Sequence, residues 1–546
     1  LMVLRKGLFW HYLEPCNLRP IVKEEYKEPC SRLYIRDKKT LLFEVTYYKK
    51  RINFEVFHVL TDGTGATEFL KELVKNYLYL AHKEEGLEQV ALLPEDMTVQ
   101  DQEDDSFLKY YSKDQKRPKK RKLNAFQIRR KKKDGNHLHV HESVVSVQAV
   151  LKRSRELGVS MTIFLTALFM MAINEEMSKM QKKKPVVLMV PVNLRKFFPS
   201  TSMLNFFNWI EPGYNFETQD KSFEAVLKYT KEFFDSELTK EKMSAHISEL
   251  LALELHPILR LAPLELKNLC IQAGAKYSEK NTTAIFSNMS AVKMPESYVP
   301  YIERFGVYTN TPKLELCLCS FQDKLSFAFT SRYDTVNIER NFYRLLKEQG
   351  IISEKVKPEF PKTGKPSEQE MKVYKIYSFL CIAIVAAMLV TDLNFHPRIR
   401  WTLFTAGGVV TMWIASSIGF FKRYNLLKNA MWQLIIGTII CFIWDALTGW
   451  HSWSVDLVLP IMSVSTLAAM FVTAKVQKSP VREYLIYEIM AAGYGLILPV
   501  ILLLCGVVKN PTVSMFGALT CFLFLVAVIL FKGREFKEEM QKNLHV

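Results

Sequence analysis

The sequence predicts an α/β module followed by an all-α membrane module of six helices, and three observations carry that prediction. Hydrophobicity is uneven: residues 1 to 360 have ordinary globular composition, whereas about 160 residues from 374 onward are mostly long apolar runs. Within the first part, stretches of period 2 exchange with stretches at helical spacing. One such junction places a histidine, an aspartate and two glycines together in Phe57-His58-Val59-Leu60-Thr61-Asp62-Gly63-Thr64-Gly65. With 546 residues, 49% of them hydrophobic, the chain is long enough for several domain-sized pieces. Its nine cysteines form no CxxC pair and no regular spacing, which argues against a zinc site and a disulfide framework. The start, Leu1-Met2, lacks the basic, apolar and small-residue order of a signal peptide.

From Arg32 to Leu60, three strand-like runs (Leu33 to Ile35, Leu41 to Tyr48, Ile52 to Leu60) are separated by Asp37-Lys38-Lys39 and Lys49-Lys50-Arg51, the pattern of an antiparallel meander. Ile52, Phe54, Val56 and His58 share one face of the last run, so His58 is expected to point where the core side chains point, into an interior or a channel. After Gly65, residues Phe69, Leu70, Leu73, Val74, Tyr77 and Leu78 recur at the spacing of a helix with one buried stripe, from Thr67 to about Lys83. From Ser146 the period is again helical, and Met161 to Met177 is almost wholly apolar. That run is short for a membrane span and has no basic flank, so it reads as a buried core helix.

The strand Val186 to Val190 leads into Pro191-Val192-Asn193-Leu194-Arg195, with Asn205-Phe206-Phe207-Asn208-Trp209 shortly after. Amphipathic helices are expected from Ser222 to Glu241 and from Met243 to about Leu255. Thr283 to Asn288 reads as a strand, and Lys313 to Phe321 with Lys324 to Ser331 as a hairpin across Gln322-Asp323. A helix around Ile338 to Lys347 closes the module, and Pro358 to Ser367 is the expected linker.

The net charge is +17, and twelve of the 21 residues from Lys113 to Lys133 are Lys or Arg. This strip reads as a solvated loop or as a segment resting on anionic lipid; with no reader fold beside it, nucleic acid is not an expected partner. His137, His139 and His141 alternate along a strand-like stretch, but no carboxylate stands at a supporting spacing, so no metal is expected there.

Six runs are long enough to cross a bilayer, approximately 373 to 393, 402 to 421, 430 to 449, 457 to 476, 484 to 508 and 512 to 531. Fourteen Lys or Arg residues flank them on one side and three on the other. The positive-inside rule then places both termini and the α/β module in the cytoplasm, in a multi-pass protein of the cell membrane. Asp445 and Glu488 are ionisable residues near the ends of runs; an interfacial position and a role in substrate passage both stay open.

His-x-x-x-Asp-Gly has a chance expectation of about 0.01 in a chain of this composition. An imidazole titrating near neutrality takes the proton from a hydroxyl or amine as it attacks an activated acyl group, then returns it to the leaving thiolate. The alternative is a core histidine with satisfied hydrogen bonds.

These segments resemble the acyltransferase superfamily that includes chloramphenicol acetyltransferase, the condensation domains of peptide synthetases, BAHD acyltransferases and alcohol O-acetyltransferases, with alcohol O-acetyltransferases the nearest. The resemblance rests on His58-Val59-Leu60-Thr61-Asp62-Gly63, on Pro191 to Arg195 followed by Asn205, and on Ser287-Asn288 with Met294-Pro295. Phe57 stands where condensation domains usually carry an additional histidine. The resemblance implies a two-subdomain α/β fold with His58 as catalytic base between the subdomains. It implies that Asp62 is structural, ion-paired to Arg195, and that Gly63 and Gly65 leave room for the donor. Asn205 and Asn288 are hydrogen-bond donors to substrate or oxyanion, or else strand-end caps. Family members carry more chain before the motif, so an incomplete N-terminal portion is expected.

The expected organisation is an N-terminal subdomain (1–140, with the basic loop 113–133), a C-terminal subdomain (141–352), a linker (353–372), the transmembrane domain (373–532) and a tail (533–546). The expected reaction moves an acyl group from acyl-CoA, the co-substrate, to a hydroxyl on a lipid, alcohol or envelope precursor, without metal. Amide formation, an acyl carrier protein as donor, and a non-catalytic acyl-binding domain on a transporter-like module stay open.

Overall fold

The computed structural model describes residues 1–7, 9–34, 39–90, 104–112, 124–128, 138–356, 358–360, 366–395, 401–422, 426–476 and 481–544. Most of the basic strip, and His137 of the histidine trio, lie outside these residues. The chain forms two compact units, one made of residues 1–4, 13–34 and 41–363, the other of residues 5–12, 35–40 and 364–546.

Short strands β1 (Met2–Lys6) and β2 (His11–Pro15) open the chain. In the first unit β3 (Lys23–Glu24) pairs in parallel with β4 (Phe43–Tyr48), and β4 pairs antiparallel with β5 (Arg51–Val56). The expected meander is therefore corrected: Leu33 and Tyr34 are in no strand, and the third strand comes from upstream. β5 also ends at Val56, before the histidine. The Phe57 amide still donates across the ladder to the Leu42 carbonyl (2.7 Å), and the Leu60 amide then closes a turn by donating to the Phe57 carbonyl (2.9 Å). His58 sits exposed on that turn instead of continuing the inward face of the strand. Helix α1 (Gly63–Ala81) begins four residues before the predicted Thr67, because Asp62 caps it by accepting from the Thr64 and Gly65 amides.

After the short α2 (Ser106–Lys109) comes β6 (His139–Ser146), then α3 (Val147–Glu156) and α4 (Met161–Glu176). In α4 residues Phe164, Leu165, Ala167, Phe169 and Met170 are fully buried, as a core helix requires. Strands β7 (Val186–Asn193), β8 (Phe207–Ile210) and β9 (Gly213–Tyr214) precede α5 (Phe223–Glu237), α6 (Lys240–Glu254), α7 (Pro257–Leu261) and α8 (Leu264–Ser278). Then follow β10 (Ala284–Ala291), β11 (Leu314–Phe321), β12 (Lys324–Ser331), α9 (Asn337–Glu348) and β13 (Glu354–Val356).

One eight-stranded mixed sheet runs in the order β13-β6-β12-β11-β10-β7-β8, with β9 also on β7. Its core face packs on α4 and α9, where Phe169, Phe329 and Phe342 meet edge to face. Because successive strand residues face opposite ways, Leu314, Leu316 and Leu318 join that core while Glu315, Cys317 and Cys319 face away from it. Within the segment expected as the linker, β13 pairs with β6, and helix is described from Pro366.

The second unit consists mainly of α10 (Pro366–Phe395), α11 (Trp401–Lys422), α12 (Leu426–Leu447), α13 (Leu459–Val476), α14 (Val481–Leu504) and α15 (Pro511–Leu544). Where the sequence predicts six spans, four stretches among the described residues are long and apolar enough to cross a membrane: Leu426–Leu447, Ser454–Val476, Tyr484–Leu504 and Pro511–Lys532. Asp445, wholly buried, accepts from the amides of His451 (2.7 Å), Ser452 (3.2 Å) and Ser454 (3.1 Å) and from the Ser454 hydroxyl (2.7 Å). These bonds commit it to closing the turn between two helices. Glu488 is buried, and its Oε1 has no hydrogen-bond partner among the described residues.

Candidate active site

Asp62 anchors the histidine turn from below. Its Oδ1 takes the Thr64 and Gly65 amides at 3.0 and 3.1 Å, and its Oδ2 takes Arg195 Nη1 at 2.6 Å and the Phe206 amide at 2.9 Å. Both faces of the carboxylate are therefore used within the fold, and Asp62 is buried. Arg195, just past β7, also donates to the carbonyls of Ser202 (3.1 and 2.7 Å) and Leu204 (2.7 Å) and to Asn193 Oδ1 (3.4 Å). One ion pair thus ties the start of α1 to the loop that carries residues 202–206.

That loop delivers Asn205 to the histidine. Asn205 Nδ2 donates to the His58 carbonyl at 2.8 Å, and Asn205 Oδ1 lies 3.0 Å from His58 Nδ1. A carbonyl only accepts, so the first bond fixes which way the amide faces, and its oxygen then accepts from Nδ1–H. The proton sits on Nδ1 and the lone pair on Nε2. Phe207 flanks the imidazole, with ring centroids 5.2 Å apart. Asn205 therefore meets the histidine itself, the one partner not among the sequence expectations for it.

Close packing fixes the glycines. A Cβ on Gly65 would lie 2.4 Å from the Met203 carbonyl oxygen and 2.1 Å from Thr61 Oγ1, so this position has no room for a side chain. Thr61 itself donates to that Met203 carbonyl at 2.5 Å. At Gly63 a Cβ would strike the Met289 thioether, the flexible end of a side chain. Asn288 is held elsewhere: its Nδ2 donates to Thr162 Oγ1 (3.0 Å) and its Oδ1 accepts the Ser290 amide (2.9 Å), as in a strand-end cap. Sequence reasoning missed Asn193, whose amide nitrogen donates to Thr64 Oγ1 (3.0 Å) and whose oxygen takes the Arg195 amide (3.0 Å). Its place two residues before Arg195, at the end of a strand, was the available signal. No group of three or more potential metal ligands occurs among the described residues.

The arrangement holds one imidazole with a fixed tautomer, its Nε2 without a hydrogen-bond partner among the described residues, beside an aspartate that is fully committed to the scaffold. It can accept a proton at Nε2 and return it.

Comparison with known proteins gives two domain matches. Residues 21–244 match the alcohol acetyltransferase family, and residues 360–546 match a family of unknown function, DUF6320. No curated protein matches. Among solved structures, the epimerization domain from the third module of tyrocidine synthetase B is similar at 12% identity and a TM-score of 0.37, over 64% of this chain and 84% of that one. A wax ester synthase/diacylglycerol acyltransferase from Marinobacter aquaeolei VT8 is similar at 13% identity and a TM-score of 0.36, over 64% and 85%. TRI3 trichothecene 15-O-acetyltransferase from Fusarium sporotrichioides is similar at 11% identity and a TM-score of 0.36, over 57% and 70%. Residues 21–244 are thus similar in sequence to the alcohol acetyltransferase family, and the helical residues 360–546 to DUF6320.

Proposed function

We propose that the chain is a membrane-anchored O-acyltransferase that moves an acyl group from acyl-CoA to a hydroxyl acceptor, with His58 as general base. The observation that carries this reading is the His58–Asn205 pair, which leaves Nε2 as the basic nitrogen in a domain similar to the alcohol acetyltransferase family. Nε2 takes the acceptor's hydroxyl proton as the oxygen attacks the thioester carbonyl. The imidazolium so formed keeps its Nδ1–H on Asn205. When the carbon–sulfur bond breaks, the thiolate recovers the proton from Nε2, and ester and free thiol leave.

Asp62 and Arg195 position the turn and take no part in proton transfer. The four stretches able to cross a bilayer support a membrane anchor, and the asymmetry of flanking charge supports a cytoplasmic active site with both termini on the same side. The test is acceptor-dependent thiol release from acyl-CoA in membranes. His58→Ala is expected to lower it about 10²- to 10⁴-fold, the range that general-base catalysis contributes. Unchanged release overturns the proposal.

A further inference from the structure

A second polar constellation lies on the sheet face that turns away from the α4–α9 core. Glu315 of β11 and Thr330 of β12 are direct cross-strand neighbours, so their side chains share that face. They are 3% and 1% exposed. Glu315 Oε1 accepts from Cys317 Sγ, a weak donor at 3.5 Å, while Glu315 Oε2 and Thr330 Oγ1 have no hydrogen-bond partner among the described residues. The hydroxyls of Thr309 and Thr311 act on the same carboxyl, but they are already engaged with Cys317 Sγ (3.5 Å) and the Lys313 carbonyl (3.2 Å). Two adjacent buried polar atoms, Glu315 Oε2 and Thr330 Oγ1, are left without a partner among the described residues and call for a hydrogen-bonding occupant.

The same face leads to the histidine turn. β10 runs parallel to β11, with Ile285 beside Glu315 and Ser287 beside Cys317. Two residues further on, Met289 packs with Cys319 and lies against Gly63. Four residues from Ile285 to Met289 span ~13 Å at ~3.3 Å each, so the polar pair and the turn stand roughly a medium-length chain apart. His58 also acts electrostatically on the Glu315 carboxyl, which burial pushes above the usual carboxylate range.

We propose that Glu315 and Thr330 form the far end of the acceptor site and receive a second hydrogen-bond donor, a hydroxyl or an ammonium, on an acceptor whose first hydroxyl lies at His58. The acceptor class is then a diol, polyol or amino alcohol. Which hydroxyl reacts rests on the acyl-transfer reading above.

Binding to the full chain in detergent tests this without chemistry. The probes are an α,ω-alkanediol of about ten carbons, matched to the ~13 Å span, its ω-amino alcohol analogue and the plain primary alkanol. Wild type is expected to bind the diol or the amino alcohol about tenfold more tightly than the alkanol. Glu315→Leu removes that preference and leaves alkanol binding within about twofold. Glu315→Gln retains the diol, through its amide oxygen, and loses the amino alcohol, which separates the two donors. If Glu315→Leu does not fold, Glu315→Gln and Thr330→Val decide, and at least one must weaken the preference. Equal binding of all three probes by wild type, or a preference untouched in the variants, overturns the proposal. A preserved preference with no thioester turnover overturns the acyl-transfer reading alone.

Discussion

Replacing Asp62 by Asn separates the two jobs this carboxylate performs. Asn serves as an N-cap about as well as Asp, so the bonds from the Thr64 and Gly65 amides survive. The charge does not. Arg195 keeps its carbonyl partners at Ser202 and Leu204 but loses its one counter-charge among the described residues, and the Phe206 amide faces an NH2 group. Breaking a buried pair by removing one member costs about 3–5 kcal/mol. The Arg195 side chain retains 13% exposure, so solvent offsets part of the loss and about 3 kcal/mol is expected. At about 2–4 °C per kcal/mol for a large domain, the Tm of the first unit falls by about 6–12 °C. Asp62→Ala also removes the cap and costs about 1 kcal/mol more. Combining Asp62→Asn with Arg195→Met recovers part of the loss, because no charge is then stranded. Near-ultraviolet circular dichroism of the detergent-solubilised chain follows the transition. A Tm within about 1 °C of wild type for Asp62→Asn would refute the argument that this pair holds the turn.

Three further outcomes are expected. Asn205→Ala frees the imidazole and lowers kcat about tenfold with little change in KM or Tm, whereas Asn205→Asp keeps an acceptor for Nδ1–H and moves the acid limb of the pH–rate profile upward. Glu339 is 5% exposed, and burial pushes its carboxyl up to about 8 from 4.5. The folded state therefore binds the proton more tightly than the unfolded one, so this contribution is fully present below pH 4.5 and is lost as pH rises through about 8. His141, 3.9 Å from Glu339 and lowered by its own burial, works in the opposite sense below its ordinary 6.5. Denaturation midpoints compared between pH ~7 and ~8 in wild type and Glu339→Gln read this contribution by difference: wild type loses about 1 kcal/mol more than the variant. Asp445→Ala strips the four bonds that close the α12–α13 turn and is expected to open the stretch from Thr448 to Ser454 to protease in detergent.

The readable parts of this fold are those where local chemistry decides. Met161 to Glu176 announces itself because an apolar run of helical length with no polar face has to be enclosed. The β11–β12 hairpin falls within a residue of expectation because alternation and a two-residue turn fix its register. His58 fails that logic: alternation says where a side chain points only while the strand lasts, and the turn closed by the bond from Leu60 to Phe57 ends it first. Asn205 was ambiguous because an amide offers both a donor and an acceptor, and only the distant Asp62–Arg195 pair decides what its loop is brought against. Glu315 was invisible for a further reason. Leu314-Glu315-Leu316-Cys317-Leu318 reads as an ordinary half-solvated strand with its polar residues facing water. A strand covered on both faces ordinarily reads as a continuous apolar run, so the alternation here gives no sign that its polar face is covered. A polar residue on the covered face therefore looks like surface until the covering chain is in place, and a face that confines a reaction is one that must be covered.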